Sequence, residues 1–363
     1  MDLYMCNVCK KTYEIKSEIW RCTCGGLLNL IKSAQMIGEI RASLPSLWRY
    51  HHSIPVNEKE WKDITMGEGY TAMIPIDDGV NSYFKMDYMM PTASFKDRGA
   101  AVLISKAKEL NVKRVIVDSS GNAGNAIAAY SRRAGLECDV YISDKTSPNK
   151  IKQLKAYNAN IKKISGSRED VAKAAQKAVA ESKDFYASHI FNPYFYEGTK
   201  TYAFETWEQL GFAPDVMVVP VGNGTLLLGI YIGFKELYEQ NIINKIPKII
   251  AIQSENCAPL SQAFNLGLSD YKNVKTKETL AEGIAIAEPL RASQILKAIR
   301  ETEGDIYTVN ENELKSAHQK LSDLGLFVEH TTAANYAGFL KYKKKRVETV
   351  VVPLCGSGLK SIK

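Results

Sequence analysis

Long apolar runs are scarce in this chain of 363 residues. The longest uncharged stretch, Val216 to Phe234, is long enough to span a bilayer, but Pro220, Asn223, Thr225 and the glycines at 222, 224, 229 and 233 interrupt it. It reads as a buried strand, a turn and a helix, so no membrane partner is expected. Histidine is sparse at five residues; His51 and His52 are adjacent, lack the helical spacing that would aim both at one metal, and read as surface residues. Met1-Asp2-Leu3-Tyr4 has neither the basic nor the apolar segment of a signal peptide, and a cytoplasmic location is the expectation. In that setting seven cysteines, an odd number, fit reduced thiols or metal ligands better than disulfides. The net charge of +7 is concentrated in blocks such as Lys341 to Arg346 that read as solvated faces; without interleaved aromatics on a recognised fold, no nucleic-acid partner is assigned.

What is present is ordinary globular composition, 45% hydrophobic and 24% charged, in a chain long enough for two domains or one large domain with appendages. Cys6 and Cys9, then Cys22 and Cys24 followed by Gly25-Gly26, pair four thiols around a tight turn. That donor set suits a tetrahedral structural zinc with no open position for catalysis, with free thiols the alternative. A helical linker is expected from Ile31 to Ser43.

Further on, short apolar runs alternate with helical patterns: strand Arg114 to Asp118 with a helix to Ala134, strand Cys138 to Ile142 with helix Ser147 to Tyr157, strand Asn160 to Ile164 with helix Arg168 to Ser182. This alternation predicts an α/β fold with a parallel, doubly wound sheet. Two of the turns have the chemistry of an anion site, small or glycine residues ahead of a helix N-terminus: Ser119-Ser120-Gly121-Asn122-Ala123, and Gly222-Asn223-Gly224-Thr225-Leu226. The first is also compatible with an ordinary capped turn. The second lacks the third glycine of a dinucleotide fingerprint, which would fall at Leu227, and the Gly-Lys-Ser/Thr ending of a nucleotide P-loop.

Pro91-Thr92-Ala93-Ser94-Phe95-Lys96-Asp97-Arg98-Gly99-Ala100 places a lysine at a helix start, where Thr92 or Ser94 can cap and Val102, Leu103 and Leu110 share a face. Ser94 to Gly99 resembles the lysine motif of the pyridoxal-phosphate enzymes of the tryptophan-synthase-β-like fold, and of threonine synthases among them. The resemblance covers nearly the whole chain, with lysine, asparagine loop, glycine turn and terminal Cys355-Gly356-Ser357-Gly358 in family order.

The resemblance implies two doubly wound domains with a zinc-ribbon-like segment at 1–30, a large domain from 31–90 and 190–363, and a small mobile domain at 91–189. It implies that Lys96 holds pyridoxal phosphate through its amine and later moves protons. Ser119, Ser120, Gly121, Asn122 and Ala123 would take the carboxylate of an amino-acid substrate, with Asn122 also at the cofactor's phenolic oxygen. Gly222, Asn223, Gly224, Thr225 and Leu226 would hold the cofactor's phosphate, and Cys355 would face its ring nitrogen. A neutral partner there suits elimination and replacement rather than transamination.

The implied reaction converts O-phosphohomoserine and water to threonine and phosphate. Serine or threonine dehydration, or another β- or γ-replacement, is the alternative. Three positions depart from the family pattern: Ala72 stands for a proline, Phe195 for an arginine that helps hold the substrate's phosphate, and His330 for the proline of a Glu-Pro pair. His330 could act as an acid or base, although an isolated histidine is more often structural; His189 and His318 have less support. A homodimer is the family expectation.

Overall fold

The computed structural model describes residues 2–32, 37–77, 81–146, 148–343, 345 and 347–361. The chain divides into two compact units, Met1–Gly69 with Lys96–Thr199, and Tyr70–Phe95 with Lys200–Lys363. Residues 31–69 and 190–199, expected with the large domain, therefore fall in the first unit, and residues 91–95, expected with the small one, in the second.

The first unit begins with an antiparallel three-stranded sheet, Leu3–Cys6 in the middle between Thr12–Glu14 and Leu28–Ile31. The helix expected over Ile31 to Ser43 does not form across 37–43, and 33–36 lie outside the described residues. Its backbone bonds run elsewhere, with Arg41 N–H donating to Arg49 O at 3.0 Å and Leu44 N–H to Arg41 O at 2.9 Å. Beyond it Trp48 is buried in the short helix Leu47–Ser53 and stacks on Trp61 with ring centroids 4.8 Å apart. His52 is exposed, but His51 is half-buried against Arg41.

The parallel sheet of this unit runs in the order Asn160–Ile164, Glu137–Ser143, Arg114–Val117, Phe185–Tyr186. Helices Asn122–Arg133, Pro148–Ala156 and Arg168–Ser182 connect its strands. Arg168–Ser182 forms where its sequence predicts because Ser167 and Asp170 close a capping box and Val171, Ala175 and Val179 recur on one face.

Helix Lys96–Glu109 is buried from Asp97 to Ala107, on every face rather than along one stripe. It meets helix Pro193–Thr199 at backbone distance. A Cβ on Gly198 would lie 2.0 Å from Arg98 O, and one on Gly99 would lie 2.4 Å from the Phe195 ring.

In the second unit six strands run in the order Asp305–Val309, Lys248–Ser254, Val216–Pro220, Val350–Pro353, Ser82–Lys85, Met73–Pro75. All neighbours are parallel except the last pair. The central strand Val216–Pro220 is buried throughout, as its unbroken apolar run requires of a strand covered on both faces. An ion pair with no exposure, Lys85 to Glu205 at 2.9 Å, is completed by Lys85 donating to Thr71 O at 2.7 Å and by Tyr70 N–H donating to Glu205 at 2.7 Å. Among the described residues no helix is long and apolar enough to cross a membrane.

Candidate active site

Lys96 is the first residue of its helix and is half-buried, with Nζ 5.9 Å from the centroid of the Phe195 ring. The preceding stretch belongs to the second unit, where the terminal motif holds it. Phe95 N–H donates to Cys355 O at 2.9 Å, Ser357 N–H to Ala93 O at 3.1 Å, and Lys360 Nζ to Thr92 O at 2.6 Å, while Ser94 forms a bridge with Gly356. Ala93 is held at φ +60°, a conformation an L-residue keeps only under such restraint. Ser94 does not cap the helix: its Oγ is buried without a hydrogen-bond partner, because its backbone is drawn onto Gly356.

The asparagine loop follows strand Arg114–Val117, and Asn122 opens the next helix. No side chain caps that helix; Gly121, at its start, has extended backbone, and a Cβ there would meet nothing within 4 Å. Gly124, in contrast, would collide with Ser119 O at 1.7 Å, so the loop folds tightly back on the first turn while its outer rim stays open. A helix N-terminus beside open space suits a carboxylate.

The glycine turn follows strand Val216–Pro220 and leads into helix Thr225–Glu239, again with no side-chain cap. Gly224 sits at φ +76°, and a Cβ on it would approach Ile295 Cδ1 to 2.4 Å; one on Gly222 would meet Ile286 Cγ1 at 2.8 Å and the Ile284 Cα at 3.1 Å. Ile284 and Ile286 thus pack on this turn. The close approach at the two glycines leaves only their backbone to face a ligand, an arrangement that suits an anion such as a phosphate.

Cys355 is 1% exposed, its Sγ 3.7 Å from Pro353 O. His330 starts helix His330–Lys341 and stacks on His318, ring centroids 4.7 Å apart at 13°; burial, and then His318, lower its pKa. Its ring face is therefore taken up by another imidazole.

His189, less supported than His330 on sequence, is 6% exposed with Nδ1 buried and unpartnered. Its ring lies edge-on to Phe195 at 5.9 Å. Burial pushes its pKa well down, and the Lys96 charge adds to this. The available signal was its place shortly ahead of Phe195 in the sequence.

At the N-terminus the Sγ atoms of Cys6, Cys9, Cys22 and Cys24 all lie within 4.8 Å of one another, with Cys6 to Cys24 and Cys9 to Cys22 at 3.5 Å. Val8 N–H and Cys9 N–H both point at Cys6 Sγ, at 3.4 and 3.5 Å.

Comparison with known proteins matches residues 64–356 to the pyridoxal-phosphate dependent enzyme family. The threonine synthase of Methanocaldococcus jannaschii is 34% identical over an alignment covering 99% of this chain and 93% of that protein. The threonine synthase of Bacillus sp. is 36% identical, covering 86% and 89%. Among solved structures, maize serine racemase superposes with a TM-score of 0.71 at 19% identity, covering 90% of this chain and 94% of that one. Serine racemase from Dictyostelium discoideum does so at 0.68 and 22%, covering 83% and 96%. These superpositions establish a shared fold, and the family match with the near full-length likeness to threonine synthases establishes that the chain belongs to the pyridoxal-phosphate dependent enzymes.

Proposed function

We propose that this protein is a threonine synthase, converting O-phosphohomoserine and water to threonine and phosphate. The observation that carries the reading is the likeness to threonine synthases over 99% of the chain. When bound, pyridoxal phosphate supplies an electron sink that stabilises carbanions next to the substrate nitrogen. Lys96 anchors it and, once released, takes and returns the α and β protons of the substrate; helix burial restricts where its amine can reach. The amides and hydroxyls of Ser119 to Ala123 orient the substrate through its carboxylate, with Asn122 at the cofactor's phenolic oxygen. Gly222 to Leu226 hold the cofactor's phosphate through backbone N–H groups, and Cys355, a neutral thiol, faces the ring nitrogen.

The four N-terminal cysteines hold a structural zinc in this reading, supported by four sulfurs within 4.8 Å and two amides aimed at Cys6 Sγ. Metal analysis of the purified protein should give about one zinc per chain; a fully reduced, folded, zinc-free protein would refute it. The thiols support a reducing, cytoplasmic setting, and family habit supports a homodimer.

A second reading, serine or threonine dehydration, is favoured by one observation. Phe195, where an arginine would assist with phosphate, is wedged into the notch at Gly99. The two readings separate on products. Cofactor-loaded protein given O-phosphohomoserine should release threonine and phosphate in equal amounts, and Lys96→Ala should lose both the yellow colour and the activity, the latter by about a thousandfold or more. A 2-oxo acid from serine or threonine, with no phosphate release, would overturn threonine synthesis.

A further inference from the structure

The four N-terminal thiols sit in a sheet that is packed into the same core as the Lys96 helix. Side chains alternate along strand Leu3–Cys6, so Tyr4 and Cys6 are buried on one face. Both belong to a continuous apolar core with Cys22, Leu28, Tyr194, Phe195 and the lysine-helix residues Ala100 to Ile104.

The sheet and its loop reach helix Pro193–Thr199 and the residues just ahead of it through side chains set close to the cysteines. Tyr4 lies edge-on to Tyr194 at 6.3 Å, Trp20 edge-on to Phe191 at 5.1 Å, and Lys32 pairs with the buried Glu197 at 3.1 Å. Tyr194 passes the contact on, because Nζ of Lys106, a residue of the Lys96 helix, sits 4.9 Å from its ring centroid. Helix Pro193–Thr199 has no room to yield: at Gly198 and Gly99 it meets the Lys96 helix so closely that even a methyl group would collide. A close-packed interior transmits a displacement instead of absorbing it. So small a sheet cannot hold its strands by burial alone, and closure by the four cysteines supplies what is missing.

We propose that the N-terminal sheet is a positioning element for Lys96. Closure by the four cysteines holds Tyr4, Trp20 and Lys32 against helix Pro193–Thr199 and the residues ahead of it, and that helix fixes where the Lys96 helix, and the cofactor anchored on it, sits. This rests on the readings of Lys96 as anchor and of the thiols as zinc ligands, and adds a coupling between the two sites. Such coupling is reciprocal, so bound cofactor also slows the loss of zinc.

The test uses the full-length, cofactor-loaded protein. It follows the visible circular dichroism of the cofactor, which reports its placement, and the loss of cofactor on dialysis. Withdrawal of zinc with EDTA, its removal checked by metal analysis, changes the dichroic band and speeds cofactor loss about tenfold, and added Zn2+ restores both. Tyr4→Ala has the same effect with zinc in place. Tyr4→Phe matches the wild type, because the Tyr4 hydroxyl has no hydrogen-bond partner and the ring alone makes the contact. Lys32→Gln gives a smaller change of the same kind and guards against misfolding of the alanine variant.

A merely structural sheet would lower the urea midpoint and leave the dichroic band of the folded enzyme unmoved, which would overturn the proposal. A Tyr4→Phe variant as impaired as Tyr4→Ala would overturn it too. A zinc-free protein in which Tyr4→Ala and Lys32→Gln still move the band would keep the positioning role and sink the metal reading. A Lys96→Ala protein that stayed yellow would sink the anchor and the proposal with it. A colourless one, beside a wild-type band indifferent to chelation, to Tyr4→Ala and to Lys32→Gln, would sink the proposal alone.

Discussion

The two glycine turns look interchangeable in sequence, each a short run of glycine and small polar residues between a strand and a helix, yet they are built on opposite plans. Around Gly222 and Gly224 the protein is full: Ile284, Ile286 and Ile295 press on the turn from outside, and Gly224 needs a positive φ. At Gly121 the space is open and the backbone is one that any residue adopts. The first is a preformed mould, suited to a group that stays. The second is a mouth, suited to one that comes and goes. Absence of a side chain serves close backbone packing in one turn and room for a ligand in the other.

Gly224→Ala should break the mould. A positive φ strained by a Cβ, plus the overlap with Ile295, should cost about 2–4 kcal/mol. That is measurable as a lower urea midpoint and faster loss of cofactor on dialysis. Adding Ile295→Val should recover part of it; no recovery would mean that φ alone, and not the isoleucine wall, demands glycine.

The helix behind the open turn is anchored at its far end. Tyr130 donates to the buried carboxylate of Glu68 at 3.0 Å, beside Trp48 Nε1 at 2.6 Å, Thr65 Oγ1 at 3.0 Å and Met66 N–H at 2.8 Å. Two donors reach each oxygen, so Glu68→Gln sets an NH2 against donors and should cost about 1–3 kcal/mol.

Burial pushes the Glu68 carboxyl up, against the pull of its four donors. A folded-state pKa above the unfolded one places its stabilising contribution below the unfolded value, and that contribution is lost as pH rises through the folded value. Urea midpoints should therefore decline over that window in the wild type and flatten in Glu68→Gln. An unchanged slope would remove Glu68 as its source.

The smallest expected change in stability is at Gly121→Ala, within about 1 kcal/mol and toward stabilisation, because only the unfolded chain is restricted. Its effect should appear in substrate binding instead, as a KM raised about tenfold with the cofactor retained. Strong destabilisation there would erase the distinction between mould and mouth.

Local signals carried the first unit's sheet well. Strand Asn160–Ile164 and helix Arg168–Ser182 were legible to the residue, since capping box and apolar spacing agree within one short window. Sequence failed where distant chain decides. The stretch 37–43 looks helical by composition but spends its N–H groups on Arg49 and on local turns. Ser94 looks like a cap but its backbone is taken by Gly356.

The order of the motifs was readable, and with it the pyridoxal-phosphate dependent family. The crowding at Gly224, the wedge at Gly99 and the open nitrogen of His189 were not, because each depends on a neighbour that no spacing rule connects to it. The sequence marked Phe195 as a missing cation without disclosing that the ring seals a helix contact.

Strand Ser82–Lys85 has a consequence for how the molecule comes into being. It pairs with Val350–Pro353, setting Phe84 opposite Val352, partners separated by most of the chain. During synthesis the residues of the first unit are all available once Thr199 has emerged, whereas this early strand has only the three-residue Met73–Pro75 beside it. Its other edge waits, hydrogen-bonding groups unclaimed, until the final strand is made. Such high contact order makes closure of the second sheet a late, slow event, and leaves an apolar edge exposed to other nascent chains in the interval.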